Sequence, residues 1–398
     1  MKKEEPIRIA VIFPGDIESQ RGLFNAVRQR VNYLHKTSSF IIDVYLLTSY
    51  DPWYVRLLRH TEKKQRVEHV DVDGIRYHLL WRRFSLVDYI LDIKLHMPPL
   101  FESIVNANNA RSIKGYKLIS AHSFQAACVG GIVARRDNIP LYITWHGSDI
   151  HSSPFVNNSV FQKTKGLLER ATGNFFVSSN LMTIAKRIAD INNPAVLYNG
   201  VDDSFVKYDD IKLSKLKRAF GIEEGDKVIA FVGNLMAVKN TEALAPIFEA
   251  VKNKIKLQKL HFWIIGDGKD EEPLRRDFES RNLSVKFWGG QPVEKMPDFM
   301  NCINVLLLPS INEGLGMVLL EALSCGANAV GSAVGGIPEV LGNDNVFTID
   351  NDFIDNISSR IVYMLENQVE QKLDVKFSWG ETAIIETKEY MTSLKAYR

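Results

Sequence analysis

The fold class follows from one stretch of the sequence, INVLLLPSINEGLGMVLLEALSCG at residues 303–326. It opens with an apolar run that lacks polar alternation, which predicts a β-strand buried on both faces. A loop with two glycines follows, and a nearly all-apolar helical segment then runs to Gly326, a residue type that commonly ends helices. Strand, glycine loop and helix in this order indicate one βα unit of a parallel sheet.

Units of this kind recur along the 398-residue chain. The strand runs are IRIAVIF, IDVYLL, KLISAHS, LYITWHGSD, NFFVSSN and AVLYNGVD, then KVIAFVGNL, HFWIIGDG, VKFWGG, INVLLLPS and NAVGSAVGG. A charged stretch near residues 201–217 separates the two series, which predicts two doubly wound α/β domains with parallel sheets. One exception is HVDVDGIRYHLL, residues 69–80, where Asp73-Gly74 predicts a hairpin added to the first domain.

Composition and charge argue against several classes of protein. The chain has 49 basic and 47 acidic residues, a net charge of +2, and so has no overall attraction to nucleic acid or membrane. The cysteines Cys128, Cys302 and Cys325 lie far apart, which predicts neither a disulfide framework nor a metal site and favours a cytoplasmic location. The apolar run IAVIF is too short for a signal peptide, and no run of about 18 apolar residues predicts a transmembrane helix.

Functional residues are expected just after strands, because ligands of open parallel sheets bind beyond the carboxyl ends of the strands. Gly314 and Gly316 lie where a helix begins, so their backbone N–H groups can bind an anion. Glu313 would repel phosphate and is better suited to accept hydrogen bonds from sugar hydroxyls. Glu321, on an apolar helix, needs a hydrogen-bonding partner such as a ribose diol. The alternatives are a helix N-cap for Glu313 and a helix-end ion pair for Glu321.

A second loop with a charged residue is FVGNLMAVKN, residues 231–240. Lys239 is expected at the start of a helix that begins at Asn240. A cation there is unfavourable with the helix dipole unless an anion lies between them, which favours a phosphate ligand. A lysine that extends into solvent is the alternative.

With these motifs the sequence resembles the family 4 retaining glycosyltransferases, of GT-B fold. The matching segments are TWHGSD, LYNGVD, FVGNLMAVKN, IIGDG, LPSINEGLGMVLLEALSCG, GGIPEV and the late FSW. The resemblance implies two facing Rossmann-like domains with an interdomain cleft, residues 1–204 on the acceptor side and 205–375 on the nucleotide-sugar donor side. It also implies that a helix at 376–398 crosses back to the first domain.

The resemblance also implies roles for individual residues. Glu313 would hold donor sugar hydroxyls, Glu321 would bind the ribose hydroxyls, and Lys239 would bind the diphosphate. His146 would reach the donor sugar from the first domain; the alternative is a loop histidine beside Asp149 as a helix N-cap. The remaining donor-binding residues would be Gly268, Trp288, Gly289, Gly314, Leu315 and Gly316.

Two positions depart from the family pattern. Asn234 occupies a place where the family often has arginine, and it carries no charge. The loop after the first strand keeps only Gly22, preceded by Arg21, where the family usually has two adjacent glycines. We expect Arg21 to supply part of the missing positive charge toward the donor phosphates.

The predicted function is transfer of a sugar from a nucleotide diphosphate sugar to a saccharide or lipid-linked saccharide, with retention, in cell-surface polysaccharide or glycolipid synthesis. No metal or cofactor is expected, since no aspartate pair has suitable spacing, and no nucleic acid partner is expected. Residues 53–66, WYVRLLRHTEKKQR, are basic and aromatic, which allows peripheral contact with an anionic inner membrane face. The alternatives are a solvated helix face there and, for the whole chain, a sugar nucleotide epimerase or a non-catalytic nucleotide-sugar-binding protein.

Overall fold

The computed structural model describes residues 6–17, 22–60, 62–83, 86–89, 102–255, 259–367 and 369–397. The chain forms two compact units. The first consists of Met1–Val177, Leu181–Leu197 and Trp379–Arg398, and the second of Ser178–Asn180 and Tyr198–Ser378. The chain therefore passes to the second unit between Leu197 and Tyr198, whereas the boundary predicted from the sequence follows residue 204. The final helix belongs to the first unit.

The first unit contains an eight-stranded sheet in the order β3-β4-β2-β1-β5-β6-β7-β8. The strands are β1 Arg8–Pro14, β2 Ile41–Tyr50, β3 His69–Val72, β4 Ile75–Arg83, β5 Leu118–His122, β6 Leu141–Trp145, β7 Gly173–Phe176 and β8 Pro194–Val196. The pairs are parallel except for β3 with β4, which is antiparallel. Apolar strands such as β5 and β6 are buried along their whole length, as expected for a sheet covered on both faces.

Helices flank this sheet. They are α1 Leu23–Thr37, α2 Trp53–Arg59, α3 Leu86–Tyr89, α4 Glu102–Ser112, α5 Phe124–Asp137, α6 Ser148–His151, α7 Asn158–Arg170 and α8 Ser179–Lys186. The predicted hairpin is confirmed as β3 and β4. Its turn residues Asp73 and Gly74 both have positive φ, at 52° and 80°, a conformation that aspartate tolerates and glycine adopts freely.

The second unit contains a six-stranded parallel sheet in the order β11-β10-β9-β12-β13-β14. The strands are β9 Lys227–Val232, β10 Leu260–Ile265, β11 Val285–Gly289, β12 Val305–Leu308, β13 Asn328–Ser332 and β14 Val346–Phe347. The helices are α9 Asp210–Ala219, α10 Leu244–Lys254, α11 Glu271–Ser280, α12 Met296–Cys302, α13 Met317–Ser324, α14 Ile337–Leu341 and α15 Phe353–Glu366. This strand order is that of the Rossmann fold.

The final helix, α16 Trp379–Ala396, packs in the first unit against α1. It brings Glu386 to Arg30, whose Nε donates to the carboxylate at 2.6 Å, and the two side chains are 1% and 2% exposed. Tyr142 of β6 donates a further hydrogen bond to the Glu389 carbonyl at 3.0 Å. A buried ion pair therefore anchors the last helix of the chain to the first.

We predict that Glu386→Ala lowers the free energy of unfolding by about 3–5 kcal/mol, because it leaves Arg30 buried without its counter-charge. The double variant Arg30→Met/Glu386→Leu should lose much less, since no charge is then buried. Urea unfolding measures both changes. Glu169→Ala, which removes the exposed partner of Lys165, is the control and should change stability by less than about 1 kcal/mol. Equal losses in the single and double variants would contradict the ion-pair explanation.

Candidate active site

The second sheet has its switch point between β9 and β12, where the strand order reverses. In open parallel sheets the crevice at the carboxyl ends of two such strands is the usual ligand position. The loop after β9 leads to Lys239 and the loop after β12 contains Glu313. The two charged residues singled out in the sequence thus follow the two central strands.

Lys239 and Glu313 form an ion pair. The Lys239 ammonium contacts Oε2 of Glu313, and the side chains are 21% and 16% exposed. Ser310 Oγ donates to the same carboxylate oxygen at 3.4 Å. The backbone N–H of Ile311 donates to the Val238 carbonyl at 2.9 Å, so a backbone hydrogen bond also joins the two loops.

The predicted helix start next to Lys239 lies close to the observed one. Lys239 ends a short 3-10 turn, Ala237–Lys239, and Asn240 adopts the left-handed conformation at φ 54°. A second 3-10 turn, Thr241–Ala243, then leads directly into α10 at Leu244. The charge of Lys239 is balanced by the Glu313 carboxylate.

The loop from Glu313 to Gly316 is compact and depends on glycine. Gly316 begins α13 at φ 86°, and a Cβ there would lie 3.0 Å from Leu319 Cδ1. A neighbouring glycine, Gly336, approaches the same loop, since a Cβ on it would lie only 2.6 Å from the Gly314 carbonyl oxygen. The side chain of Leu315 is buried. Packing thus holds the backbone N–H groups of residues 314–316 in one arrangement at the start of a helix.

The loops after β9, β10 and β11 pack backbone against backbone. The Gly233 N–H donates to the Ile265 carbonyl at 3.0 Å, and the Gly266 N–H donates to the Gly289 carbonyl at 2.8 Å. A Cβ on Gly268 would lie 2.2 Å from the Leu235 carbonyl oxygen. Gly268 is therefore required for this packing, whatever its role toward a ligand.

The other predicted donor-binding residues of the second unit lie in different surroundings. The side chain of Asn234 is exposed and makes no hydrogen bond with the described part of the chain. The Trp288 ring packs edge-on against Trp263 and Phe299, with ring centres 5.2 and 5.1 Å apart, and is half-buried. Gly289 has φ 65° and open space around the position of a Cβ. The tryptophan thus contributes to packing, and the glycine is accessible.

In the first unit, Gly22 precedes α1 with φ 54° and is exposed. Arg21 lies outside the described residues.

Glu321 of α13 is half-buried, and within the described ranges no residue donates a hydrogen bond to its carboxylate. Burial, together with the negative charge of Asp202, raises the pKa of Glu321 to about 8. An ionised carboxylate in this position is costly without donors, and a vicinal diol would supply two of them.

His146 follows β6 and is part of a histidine pair. Its Nε2 lies 3.1 Å from Nδ1 of His122, the last residue of β5. Burial, and then the positive charge of Arg30, lowers the pKa of His146 to about 3, so the ring is neutral. Asp149 accepts hydrogen bonds from the backbone N–H groups of His146 and Gly147 at the start of α6. Burial raises the pKa of Asp149 to about 6, although those backbone hydrogen bonds oppose the shift.

Two further polar residues, Glu339 and His122, were not predicted as functional from the sequence. Glu339 of α14 accepts hydrogen bonds from the backbone N–H groups of Ser179 and Asn180 and from the Tyr198 hydroxyl. Its motif GGIPEV was noted only as part of the resemblance. His122 lies near the end of the strand run KLISAHS, and that position at a carboxyl end was the available signal.

Comparison with known proteins identifies the second unit. Residues 214–379 match the family described as glycosyl transferases group 1. The second unit is a group 1 glycosyltransferase domain. The family predicted from the motifs is confirmed at this level.

Similarity to relatives covers more of the chain than the family match does. An uncharacterized glycosyltransferase of Methanocaldococcus jannaschii is 25% identical over 378 residues, 88% of this chain and 98% of the relative. N-acetyl-alpha-D-glucosaminyl L-malate synthase of Bacillus anthracis is 27% identical over 212 residues, so the chain spans about half the length (52%) of that relative. The structure of Anabaena HepE in complex with UDP-glucose aligns with 97% of this chain and 99% of its own, with a TM-score of 0.68 and 18% identity. The predicted GT-B fold class is thereby confirmed.

Other features of the described residues bear on membranes, metals and cavities. None of the helices in the described ranges combines the length and apolarity needed to cross a bilayer. Within the same ranges, no group of three or more His, Cys, Asp or Glu side chains is arranged to hold a metal ion. Cavities of about 390 Å³ in the second unit and about 920 Å³ in the first contain none of the predicted site residues in their linings.

We predict that Glu321→Gln stabilises the ligand-free protein at pH 8. The folded-state pKa of Glu321 is raised, so its contribution to stability is complete below the usual glutamate pKa and is lost as the pH rises to about 8. The neutral amide avoids this loss of stability. We expect the loss in free energy of unfolding to be roughly 2 kcal/mol at pH 8, because the partial exposure of Glu321 makes it smaller than the full pKa shift would give. At pH 4 the two proteins should be nearly equal.

Thermal unfolding at both pH values measures this effect. Glu279→Gln, at an exposed position of α11, is the matched control and should show no pH-dependent difference. A Glu321→Gln variant that follows the wild-type pH profile would contradict the assignment.

Proposed function

We propose that the chain is a retaining glycosyltransferase that transfers a sugar from a nucleoside diphosphate sugar to a saccharide or lipid-linked saccharide. The observation that carries the proposal is the Lys239–Glu313 pair beside the Gly314–Gly316 backbone, at the switch point of the second sheet. The family match and the UDP-glucose bound to HepE support a nucleotide-sugar donor, and UDP-glucose is the first donor to test. The proposed setting is cell-surface polysaccharide or glycolipid synthesis in the cytoplasm.

Binding of the donor opens the ion pair. The Lys239 ammonium moves from the carboxylate to the diphosphate, which carries more negative charge, and the amides of residues 314–316 bind the same anion. Glu313 is then free to accept hydrogen bonds from sugar hydroxyls. Glu321 accepts hydrogen bonds from both ribose hydroxyls, which provide the donors that it lacks in the ligand-free protein. Other donor contacts come from Gly22, Gly268 and Gly289, and from Arg21 and Asn234 at the phosphates.

Transfer breaks the bond between the anomeric carbon and the diphosphate oxygen. The sugar gains oxocarbenium character and the diphosphate gains negative charge, so cations and amide dipoles that stabilise the anion lower the barrier. The acceptor oxygen bonds to the anomeric carbon, and its proton passes to the departing phosphate oxygen. Attack from the side of the leaving group retains the configuration. His146 contacts a hydroxyl of the donor sugar, and the reaction needs neither a metal ion nor a cofactor.

The test separates diphosphate binding from sugar binding. Lys239→Ala should weaken UDP binding and lower kcat by about 10²–10³-fold, because it removes a charge that stabilises the leaving group. Glu313→Gln should lower kcat/KM for UDP-glucose by a similar factor but leave UDP affinity near the wild-type value, since UDP lacks the sugar. Lys252→Ala, an exposed lysine of α10, is the matched control. Calorimetry with UDP and radiolabelled transfer assays measure these quantities.

Other outcomes favour the alternative functions. Release of an epimerised sugar nucleotide without acceptor would identify an epimerase. Donor binding with neither transfer nor slow hydrolysis would identify a non-catalytic binding protein. If Lys239→Ala bound every tested nucleotide as tightly as the wild type, the proposed donor site would be wrong. Proton coupling at the anomeric carbon of the product, measured by NMR, decides between retention and inversion.

We also propose that α2 binds an anionic membrane surface peripherally, where a lipid-linked acceptor would be found. Trp53 and Leu57 are 68% and 69% exposed on this helix, and Leu58 is also exposed. Arg56 and Lys63 add positive charge nearby, whereas Lys64 is paired with Asp16. Exposed aromatic and aliphatic side chains among cations are typical of interfacial segments. No nucleic acid partner is proposed.

We predict that the protein co-sediments with vesicles that contain anionic phospholipid and much less with neutral vesicles. Trp53→Ala/Leu57→Ala should reduce the bound fraction several-fold, because it removes the apolar side chains that insert among the lipids. Ile211→Ala, at an exposed apolar position of α9, should have no effect. Sedimentation that does not depend on anionic lipid would refute this proposal.

A further inference from the structure

The cavity of about 920 Å³ in the first unit lies between the second halves of α5 and α7. Its lining includes Leu141, the first residue of β6. His146 follows Trp145, the last residue of the same strand. This α5–α7 cavity and the histidine pair of the candidate site therefore lie at opposite ends of β6.

The walls of the cavity between the two helices are largely apolar. Ile132 of α5 and Leu167 of α7 line it, together with Ile139 and Leu141. Gly131 of α5 leaves room between the helices, since a Cβ there would lie at ordinary contact distances, 3.5 Å from Leu167 Cδ2 and 3.9 Å from Leu141 Cδ2. Ile132 is 39% exposed, so part of this apolar surface still faces water. A ligand with an alkyl chain would gain free energy by covering it.

The charged side chains of the lining are all positive. Among the described lining residues none is Asp or Glu, whereas four are cations, namely Arg135, Arg136, Lys163 and Arg170. Two of these are paired with acids outside the lining, Arg136 with Asp137 at 2.6 Å and Lys163 with Glu102 at 3.0 Å. Arg135 and Arg170 make no ion pair or side-chain hydrogen bond within the described ranges. The cavity thus has two guanidinium groups whose charge is not balanced locally.

The helix ends account for only part of this arrangement. Arg135 and Arg170 lie in the last turns of α5 and α7, where a cation interacts favourably with the helix dipole. The dipole does not explain why the Arg170 guanidinium folds back along α7. A Cβ on Gly166 would lie 2.5 Å from Nη2 of Arg170, so the guanidinium occupies the space that the glycine leaves. This glycine therefore holds Arg170 along the helix that forms one wall of the cavity.

Unpaired arginines beside apolar walls fit an anionic amphiphile. The planar guanidinium group can bind two phosphate oxygens at once. Small-molecule pockets have volumes of about 300–1,000 Å³, so this cavity has room for much more than a free phosphate ion. The one aromatic ring in the described lining, that of Tyr397, is 51% exposed and offers little stacking surface to a nucleobase. A phosphate monoester with an alkyl chain would use both the cations and the apolar walls.

We propose that the α5–α7 cavity binds a lipid phosphate, with the phosphate group on Arg135 and Arg170 and the alkyl chain against Ile132 and Leu167. This site is additional to sugar transfer and does not depend on the donor site of the second unit. It is also distinct from the surface of α2, because no residue of that helix belongs to the described lining.

Calorimetry with octyl phosphate, below the concentration at which it forms micelles, tests the proposal. The wild type should bind octyl phosphate at least tenfold more tightly than inorganic phosphate or octanol, each of which has only half of the required chemistry. Arg135→Ala/Arg170→Ala should weaken octyl phosphate binding at least tenfold, because charge-assisted hydrogen bonds are lost. The two single variants should each show part of this loss, which keeps the test valid if the double variant does not fold.

The apolar part of the site has its own variant. Ile132→Ser should weaken octyl phosphate binding several-fold, because it removes apolar contact with the chain, and should leave inorganic phosphate binding unchanged. Lys186→Ala/Arg187→Ala removes two positive charges at exposed positions of the same unit outside the lining, and is the matched control that should bind octyl phosphate like the wild type.

Several results would overturn the proposal. Inorganic phosphate that binds as tightly as octyl phosphate would indicate a simple anion site, and equally tight octanol would indicate an apolar pocket alone. Unchanged octyl phosphate affinity in the arginine variants would show that these cations are not used. Competition with UDP would place the amphiphile in the candidate donor site, and loss of binding in Trp53→Ala/Leu57→Ala would place it on α2.

Discussion

Close approach of glycine backbones at the carboxyl edge of the second sheet is the constraint on which the candidate site depends. A Cβ at Gly266 would lie 2.0 Å from the Gly233 carbonyl oxygen, and one at Gly335 would lie 1.8 Å from that of Glu313. No side chain fits at such distances. The loops can therefore pack on one another directly after the strands, and the polar groups of Lys239 and Glu313 come within contact.

This constraint explains why the site was readable in part from the sequence. Glycines at strand ends and apolar strands without alternation are local patterns, and they predicted the two parallel sheets and the loops at 233–239 and 313–316 correctly. The left-handed conformation of Asn240, directly before the helix, was not predicted, because it depends on the surroundings of the residue and not on residue type alone. The Lys239–Glu313 contact itself joins residues far apart in the chain, so no local pattern contains it.

The first unit shows even more strongly that local sequence patterns do not reveal contacts between distant residues. Arg30 and Glu386 lie at opposite ends of the sequence, and neither position looks unusual among its neighbours. Their pairing emerges only when α16 packs on α1. Burial, and then the positive charge of Arg30, lowers the pKa of both histidines. Burial makes these effects large, because a charge in a poorly solvated interior acts over several ångströms with little screening. Sequence patterns predict burial well, but they do not predict which charged side chains form ion pairs.

Glu313 and Glu321, both half-buried, differ in how their charge is balanced, and this difference bears on ligand binding. Glu313 already has Lys239 as a partner, so a ligand that binds there must break one favourable contact to form others. Glu321 has no donor in the described structure, and burial, together with the negative charge of Asp202, raises its pKa. A ligand with a diol would relieve the deficit at Glu321, and that gain helps to offset the cost of opening the Lys239–Glu313 pair. A nucleoside diphosphate sugar can meet both requirements at once, because it carries a ribose diol and a diphosphate in one molecule.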